Sequence, residues 1–424
     1  ERLALFHQQK NGRRTLVVTT EQVFNEFGGG QGDPTSIRDF VKMYYDKYRA
    51  TWGERGKYLL LFGKASFDYK ARVQNNTNYV PAYQSITSLD PLGTYTSDDY
   101  FGFLDDTEDI NSVLIMNGLD VGIGRLPVRT AEEAAAFVDK VEAYYAPPSF
   151  GPWRNNLTFV ADDEDNNLHL QDAETVASAA KTTAPQFNQH KVYLDAFRQE
   201  GGSAGGRYPQ ANAVNNNLVY NGTLIWNYSG HGGPQRLAEE VVLDAQIVAN
   251  WNNEAKLPLL ITASCDFAPY DNPFLFSLGE NVLVRPKTGA IALTTTTRIV
   301  FANSNREMNE NYLRFALQKM DGKYRSLGEA IRDAKNFTYQ TSNDVVNNRK
   351  FALLGDPAMT LAYPQLQVVP TTINHQPLAS NADTLSATDV VTLAGEVKDN
   401  GGVVQTDFNG TVYLSLFDKP QTIT

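Results

Sequence analysis

Short apolar segments alternate with amphipathic segments along most of this chain, and this alternation restricts the fold more than any other feature. The apolar segments have the length and the β-branched or aromatic content of buried strands. Because strands separated by helices need crossover connections, they favour parallel pairing. The sequence therefore predicts an α/β fold, with a doubly wound parallel sheet flanked by helices. The predicted strands are Tyr58–Phe62, Val121–Gly124, Leu157–Ala161, Val192–Asp195, Leu224–Tyr228, Leu257–Ala263 and Ala290–Leu293.

Two of the amphipathic segments show clear helix signals. Segment 36–48 places Ile37, Phe40 and Tyr44 on one face, as a helix period requires. Segment 130–145 opens with Thr and, three residues later, Glu, the spacing of a capping box. Both segments are predicted to be helices that cover the sheet.

Changes in composition divide the chain into three regions. The proline-rich stretch 146–152 separates an N-terminal α/β subdomain, 1–150, from a second α/β subdomain, 151–363. Region 364–424 shows short strand-like segments and Asn/Asp-Gly turns, which are typical of an immunoglobulin-like β-sandwich. Roughly 60 residues supply too few strands for a seven-stranded sandwich. We therefore expect a partial β domain, an N-terminal subdomain truncated at its start, and a chain that is a piece of a longer protein.

Composition narrows the functional classes. A net charge of −11 with 42% hydrophobic residues is typical of a globular chain with a sizeable core and disfavours nucleic acid as a partner. No apolar stretch approaches the length needed to cross a bilayer. The single cysteine excludes an internal disulfide framework and a cysteine-rich zinc site.

That cysteine, Cys265, and one histidine, His231, each follow a predicted buried strand. In open α/β sheets, reactive groups gather beyond the carboxyl ends of the strands. An imidazole beside a thiol favours the thiolate, which attacks carbonyl carbons. The sequence therefore predicts a dyad with Cys265 as nucleophile and His231 as general base. Histidine upstream of cysteine is the order of caspases, whereas papain-like enzymes have the reverse order.

Glycines flank His231 and permit a close approach of the backbone to a substrate. We expect the amides of Gly232 and Cys265 to stabilise the oxyanion that forms during acyl transfer. Simpler readings exist, since a lone cysteine is often a small buried hydrophobic residue and Gly-His-Gly is often a tight turn. The occurrence of both at strand ends favours the dyad.

Six separated segments of the chain form a recognisable set of motifs. They are Asn25–Asp33, Asp120–Val128, Asn227–Gly233, Thr262–Phe267, Gly289–Arg298 and Phe351–Leu361. Separated motifs in one order are more specific than any single motif. Together they resemble the gingipain-type cysteine peptidases of family C25. Within that family, the pattern is closest to the sortase, or C-terminal signal peptidase, of the type IX secretion system of Bacteroidetes.

The resemblance implies a caspase-like fold followed by an immunoglobulin-like domain, and it implies the same roles for Cys265, His231 and Gly232. In gingipains an acidic residue at the end of an earlier strand orients the histidine. The matching stretch here is Phe159–Asp163, and its candidate residue is Asp162. The alternative is a solvated acidic turn, because further acidic residues follow it.

The resemblance also implies a function. A sortase of this kind removes the C-terminal signal domain of secreted cargo and transfers the cargo to an amine of anionic lipopolysaccharide. Its partners are cargo proteins and outer-membrane components of the type IX secretion system, and its place is the bacterial cell surface at the outer membrane. The alternatives are a gingipain-like protease that only hydrolyses and a non-catalytic surface binding module.

Two further groups of residues are candidates for binding. Thr296 and Arg298 follow a predicted strand and are expected to line the specificity pocket, unless they serve packing or the surface. The loop 96–109 gathers carboxylates, including Asp98, Asp99 and Asp105, and hard oxygen ligands suit Ca²⁺. The thiol chemistry itself requires no cofactor, so any calcium is expected to be structural.

Overall fold

The structure, a computed structural model, describes residues 1–52, 57–114, 118–202, 205–342, 344–378, 385–386, 388–399, 401–412 and 414. Its α-helices are α1 Arg2–Asn11, α2 Thr20–Phe27, α3 Pro34–Trp52, α4 Ala131–Tyr144, α5 Leu168–Thr183, α6 Pro209–Asn221, α7 Ala245–Ala249, α8 Leu278–Val284, α9 Ala302–Leu317, α10 Leu327–Thr341 and α11 Val345–Lys350. Short 3-10 helices span Asp98–Phe101, Pro147–Ser149, Pro152–Asn155 and Leu194–Ala196.

A strand overlaps each of the seven predicted in the α/β region, although β4 begins four residues earlier than predicted and ends two residues earlier. The strands are β1 Tyr58–Phe62, β2 Gly122–Leu126, β3 Asn156–Ala161, β4 Asn188–Tyr193, β5 Glu200–Gly202, β6 Gly205–Arg207, β7 Ile225–Ser229, β8 Gly232–Gly233, β9 Arg236–Leu237, β10 Leu243–Asp244, β11 Leu259–Ala263, β12 Ala292–Thr296, β13 Phe351–Leu354, β14 Leu366–Ile373, β15 Gln376–Pro377 and β16 Leu393–Asp399.

Within the described residues, the main sheet contains eight strands in the order β1-β2-β13-β12-β11-β7-β3-β4. The predicted helix-flanked α/β sheet is confirmed, but it is mixed, because β13 pairs antiparallel with β12. The N–H of Thr297 donates to the carbonyl of Lys350 at 2.9 Å, so β13 begins at the edge where β12 ends. The chain returns to that edge through α9, α10 and α11 before β13 starts. The antiparallel direction therefore depends on the helical connection between the two strands.

Burial explains why the central strands are so apolar. Every residue of β7, β11 and β12 is buried, as expected for strands covered on both faces. Helix α9 packs against α5 and α10, while α4 packs against α1 and α8. The hydrophobic core therefore lies on the faces of the sheet, and the candidate functional residues lie at the ends of the strands.

The predicted helices are confirmed with one difference at a cap. Segment 36–48 lies within α3, and segment 130–145 corresponds to α4. The Thr130 hydroxyl accepts from the Glu133 N–H at 3.2 Å. The Glu133 carboxylate, however, accepts from the N–H of Arg129 at 2.7 Å. Among the described residues, only half of the predicted capping box therefore forms.

A small antiparallel sheet follows the α/β region. Strand β14 pairs with β15 and β16, which fits a partial β domain. Residues 410–412 and 414, which belong to the strand-like segments predicted in region 364–424, lie outside the strands of the structure. The division into 1–150, 151–363 and 364–424 stays a prediction, and β1 and β2 share one sheet with the later strands.

Among the helices in the described part of the chain, none combines the length and apolar character needed to cross a membrane.

Candidate active site

The ends of β7 and β11 bring the predicted dyad residues to one edge of the sheet. The two strands are parallel neighbours, and Ser229 pairs with Ala263 at their carboxyl ends. His231 follows Ser229 by two residues, and Cys265 follows Ala263 by two residues. Their backbones therefore leave the sheet side by side.

The loop that carries Cys265 is fixed to the end of β12. The Thr296 hydroxyl donates to the Ser264 carbonyl at 2.5 Å. The N–H of Asp266 donates to the carbonyl of Arg298 at 3.1 Å. These bonds define the path of the main chain on both sides of the cysteine, so the position of Cys265 depends on a third strand as well as its own.

The Cys265 thiol is partly buried and donates to the carbonyl of Val300 at 3.6 Å. Burial raises the pKa of this thiol above its ordinary value. A raised pKa keeps the thiol protonated, so activation of the predicted nucleophile would require the imidazole of His231. Within the described residues, no hydrogen bond joins the sulfur to His231.

The His231 imidazole faces an acidic turn instead. Its Nε2 lies 2.9 Å from Oδ2 of Asp165 and 3.6 Å from Oε2 of Glu164. The imidazole rings of His231 and His169 also pack edge to face, with ring centroids 4.9 Å apart. Sequence reasoning missed Asp165 and His169, although the acidic run after β3 was a visible signal.

Asp162 lies at the end of β3 and contacts the main chain of the histidine. Its Oδ2 accepts from the N–H of His231 at 2.9 Å. The Tyr228 hydroxyl donates to the His231 carbonyl at 2.7 Å, so both sides of this residue's backbone are fixed. Burial raises the pKa of Asp162 to about 6. Its predicted role in orienting the histidine stays a prediction, and the contact it makes is with the backbone.

A close packing contact explains one glycine of the motif. A Cβ on Gly230 would lie 2.4 Å from the Cβ of Asp162 and 2.5 Å from the Tyr228 hydroxyl. Such distances are shorter than van der Waals contact, so a larger residue would displace the carboxylate from His231.

Gly232 begins a tight hairpin in which it pairs with Leu237. The N–H of Ala238 donates to the carbonyl of His231 at 3.0 Å. In an antiparallel ladder this bond makes the adjacent Gly232–Leu237 pair a non-hydrogen-bonded one. That pairing therefore leaves the Gly232 N–H available for a ligand.

A cleft of about 600 Å³ opens beside this hairpin. Its lining combines the histidine of the predicted dyad and the adjacent glycine with acidic and apolar side chains. The residues include Glu164, His231, Gly232, Gly233, Glu239 and Leu275. A cleft of this size accommodates an extended peptide segment or a small ligand.

The two residues predicted to bind substrate have structural partners. Thr296 is fully buried, and a fully buried side chain does not line a surface pocket. Arg298 forms a two-pronged pair with the buried Asp271, at 2.8 and 2.5 Å. Both side chains therefore support the strand ends around Cys265 in this structure.

The carboxylates predicted to bind calcium mostly face cations of the protein. Asp98 accepts from Arg125 at 2.8 and 2.7 Å, and Asp99 accepts from Lys335 at 2.7 Å. These pairs disfavour Ca²⁺ at the two side chains, because the cations already neutralise them. Asp105 interacts elsewhere, and its N–H donates to Glu108 at 3.0 Å. Calcium binding by this loop stays a prediction.

Comparisons with known proteins show which family the chain resembles. The family model described as peptidase family C25 matches residues 1–362. No curated protein sequence matches the chain.

Solved structures give the same fold. The Arg-specific cysteine proteinase gingipain R (RgpB) is similar with a TM-score of 0.64 at 16% identity, over 96% of this chain and 86% of that chain. The complex of the pro- and mature domains of RgpB from Porphyromonas gingivalis gives 0.63 at 17% identity, over 86% and 78%. Dimeric latent PorU from P. gingivalis gives 0.50 at 25% identity, over 96% of this chain but 34% of that chain. The chain thus spans about a third of PorU. The predicted gingipain-like fold is confirmed.

Proposed function

The chain belongs to peptidase family C25, a family of cysteine peptidases, and from this premise we propose that Cys265 is its nucleophile and His231 its general base. The observation that carries the proposal is the register of β7 and β11. Ser229 and Ala263 are paired at the ends of these neighbouring strands. His231 and Cys265 each follow their strand by two residues, so both begin from the same level of the sheet.

The productive contact requires both side chains to turn. The thiol must leave the carbonyl of Val300, and the imidazole must leave Asp165. The Asp165–His231 pair is about half exposed, with 51% and 45% of the side-chain surfaces accessible. Pairs this exposed contribute about 0–1 kcal/mol. Breaking the pair therefore costs little, and we propose that the structure shows a resting arrangement of the dyad.

Catalysis then follows the chemistry of an activated thiol. The imidazole takes the thiol proton, and the thiolate attacks the scissile carbonyl carbon. The N–H groups of Gly232 and Cys265 donate to the oxygen that becomes negative. When the tetrahedral intermediate collapses, the imidazolium gives its proton to the leaving amine, and a thioester on Cys265 remains. Asp162 fixes the peptide of His231 during these steps.

The identity of the second nucleophile distinguishes a sortase from a protease. We propose that an amine resolves the thioester, so that cargo freed of its C-terminal signal domain is transferred to anionic lipopolysaccharide. The sequence motifs resemble the type IX secretion sortase, and the likeness to PorU extends over 96% of this chain at 25% identity. Both observations support a place at the bacterial cell surface, with outer-membrane secretion components as partners.

Mass spectrometry separates transfer from hydrolysis. A cargo protein that carries the C-terminal signal domain is incubated with the enzyme and a small primary amine. The expected product is cargo whose new carboxyl terminus carries the amine as an amide. Product with a free carboxylate alone would establish the gingipain-like alternative.

A second experiment separates an enzyme from a binding module. A thiol-directed acyl probe should label the wild type and leave Cys265→Ala unlabelled. His231→Ala should label at least tenfold more slowly, because the thiol then lacks its base. The matched control is His190→Ala, which removes a histidine on β4, outside the cleft. Equal labelling of wild type and Cys265→Ala would reject the nucleophile.

A further inference from the structure

Three side chains of types that bind metals lie close together, and one of them is the histidine of the proposed dyad. They are Asp165, His169 and His231, and each offers one ligand atom within 4.8 Å of the others. Oδ2 of Asp165 lies 2.9 Å from Nε2 of His231 and 3.3 Å from Nε2 of His169. The three residues come from two separate parts of the chain, the segment after β3 and the end of β7.

His169 points a nitrogen without a hydrogen-bond partner into this cluster. The residue is 6% exposed, and among the described residues its Nε2 has no partner with hydrogen-bond geometry, although the Asp165 carboxylate lies 3.3 Å away. A buried polar atom without a hydrogen bond is destabilising unless something else occupies it.

The chain is held in an unusual conformation where the cluster forms. Asp165, Asn166 and Asn167 have φ values of 59°, 53° and 67°, in the left-handed region. Helix α5 then begins at Leu168, so His169 lies in its first turn. This turn brings the carboxylate of Asp165 to the imidazole of His169 four residues later.

We propose that Asp165, His169 and His231 form a Zn²⁺ site that holds the dyad histidine in its resting position. Two imidazoles and one carboxylate are a ligand set that suits zinc, whereas Ca²⁺ prefers oxygen ligands alone. With bonds of about 2.0–2.1 Å, ligand atoms of a tetrahedral zinc site are roughly 3.3 Å apart. The distances of 2.9 and 3.3 Å are close to that value.

Zinc would replace the direct contact between Asp165 and His231. The ion takes the lone pair of each nitrogen and one carboxylate oxygen, and water completes the fourth position. An imidazole bound in this way accepts no proton from a thiol. The enzyme is therefore inhibited, a consequence that rests on the proposed function, while zinc binding itself does not.

Calorimetry tests binding without any need for activity. ZnCl₂ is titrated into Cys265→Ala, which removes the thiol as a competing ligand. One ion per chain is expected. In the same background, His169→Gln should weaken binding at least tenfold, and the control His190→Gln should leave it unchanged. Absence of stoichiometric binding to Cys265→Ala, or equal affinity of the two glutamine variants, would overturn the proposal.

A second variant covers the case in which loss of the buried His169 unfolds the chain. Asp165→Asn changes a side chain that is 51% exposed, so the fold should tolerate it, and it should also weaken binding at least tenfold. Unchanged affinity in this variant would equally reject the site.

Inhibition is measured as the loss of acyl-probe labelling on addition of ZnCl₂, relative to the zinc-free rate of each variant. The wild type should lose labelling and recover it with a chelator, and Asp165→Asn should need at least tenfold more zinc. If zinc binds but the zinc-free protein is never labelled, the proposed function fails while the zinc site stands. If zinc binds and labelling persists, the inhibitory role is refuted.

Discussion

The buried carboxylate of Asp162 makes the stability of this protein depend on pH in a direction that can be worked out. Its side chain is 0% exposed, and burial raises its pKa from 3.8 to about 6. The N–H groups of His231 and Asp163 donate to it at 2.9 and 3.2 Å, and the Tyr228 hydroxyl lies 3.3 Å away, but these contacts do not compensate for the lost hydration. The informative change is Asp162→Asn, because the amide keeps an oxygen as acceptor and carries no charge.

The sign follows from the two protonation states. Below pH 4 the carboxyl is largely protonated whether the chain is folded or unfolded, so burial of its charge costs little. Between pH 4 and 6 the unfolded chain ionises first, and the folded state loses stability as pH rises. Above pH 6 the loss is complete. A shift of about two pKa units corresponds to roughly 3 kcal/mol in the free energy of unfolding.

Asp162→Asn should therefore be more stable than the wild type by about 1–3 kcal/mol at pH 7, with a much smaller difference at pH 4. Urea denaturation at both pH values measures this. The control is Asp139→Asn, which removes a carboxylate that is 63% exposed. Its stability difference from the wild type should be nearly the same at pH 7 and at pH 4. An equal effect of Asp162→Asn at both pH values would refute the argument.

Three further predictions concern other residues. Burial lowers the pKa of Lys140 to about 7, so Lys140→Met should raise the free energy of unfolding by about 2–4 kcal/mol at pH 6 and by less near pH 10, as urea denaturation would show. Arg298→Met leaves the buried Asp271 without its cation and should cost about 3–5 kcal/mol, of which Asp271→Asn in the same chain should restore part; an unchanged urea midpoint would contradict this. Gly232→Ala would place a Cβ 2.8 Å from Leu237 and move the hairpin, so kcat for peptide cleavage should fall at least tenfold in a protein that circular dichroism shows to be folded. Full activity of that variant would argue against the amide as an oxyanion donor.

The strands of the sheet were predictable because the signal for each is local. β7 and β11 are buried on both faces, so their apolar composition is visible in the sequence itself. The antiparallel direction of β13 was not predictable in this way. It depends on the helices after β12, which bring Lys350 back to Thr297.

The partners of charged residues were less predictable than the strands. The sequence places Asp98 and Asp99 in a carboxylate-rich loop, and that local composition suggested calcium. Their cations, Arg125 and Lys335, are distant in sequence and meet them only after folding. Arg298 likewise has no local signal for its pairing with Asp271.

The sequence by itself identified the residues that we propose for the chemistry, because a thiol after one buried strand and a Gly-flanked imidazole after another are recognisable from composition and spacing. Only the tertiary structure decided how the imidazole is held. Asp165 and His169 meet His231 because a left-handed turn and the first turn of α5 bring them across the ends of β3 and β7. Contacts of that kind depend on the packing of segments far apart in the chain, and local sequence patterns do not record them.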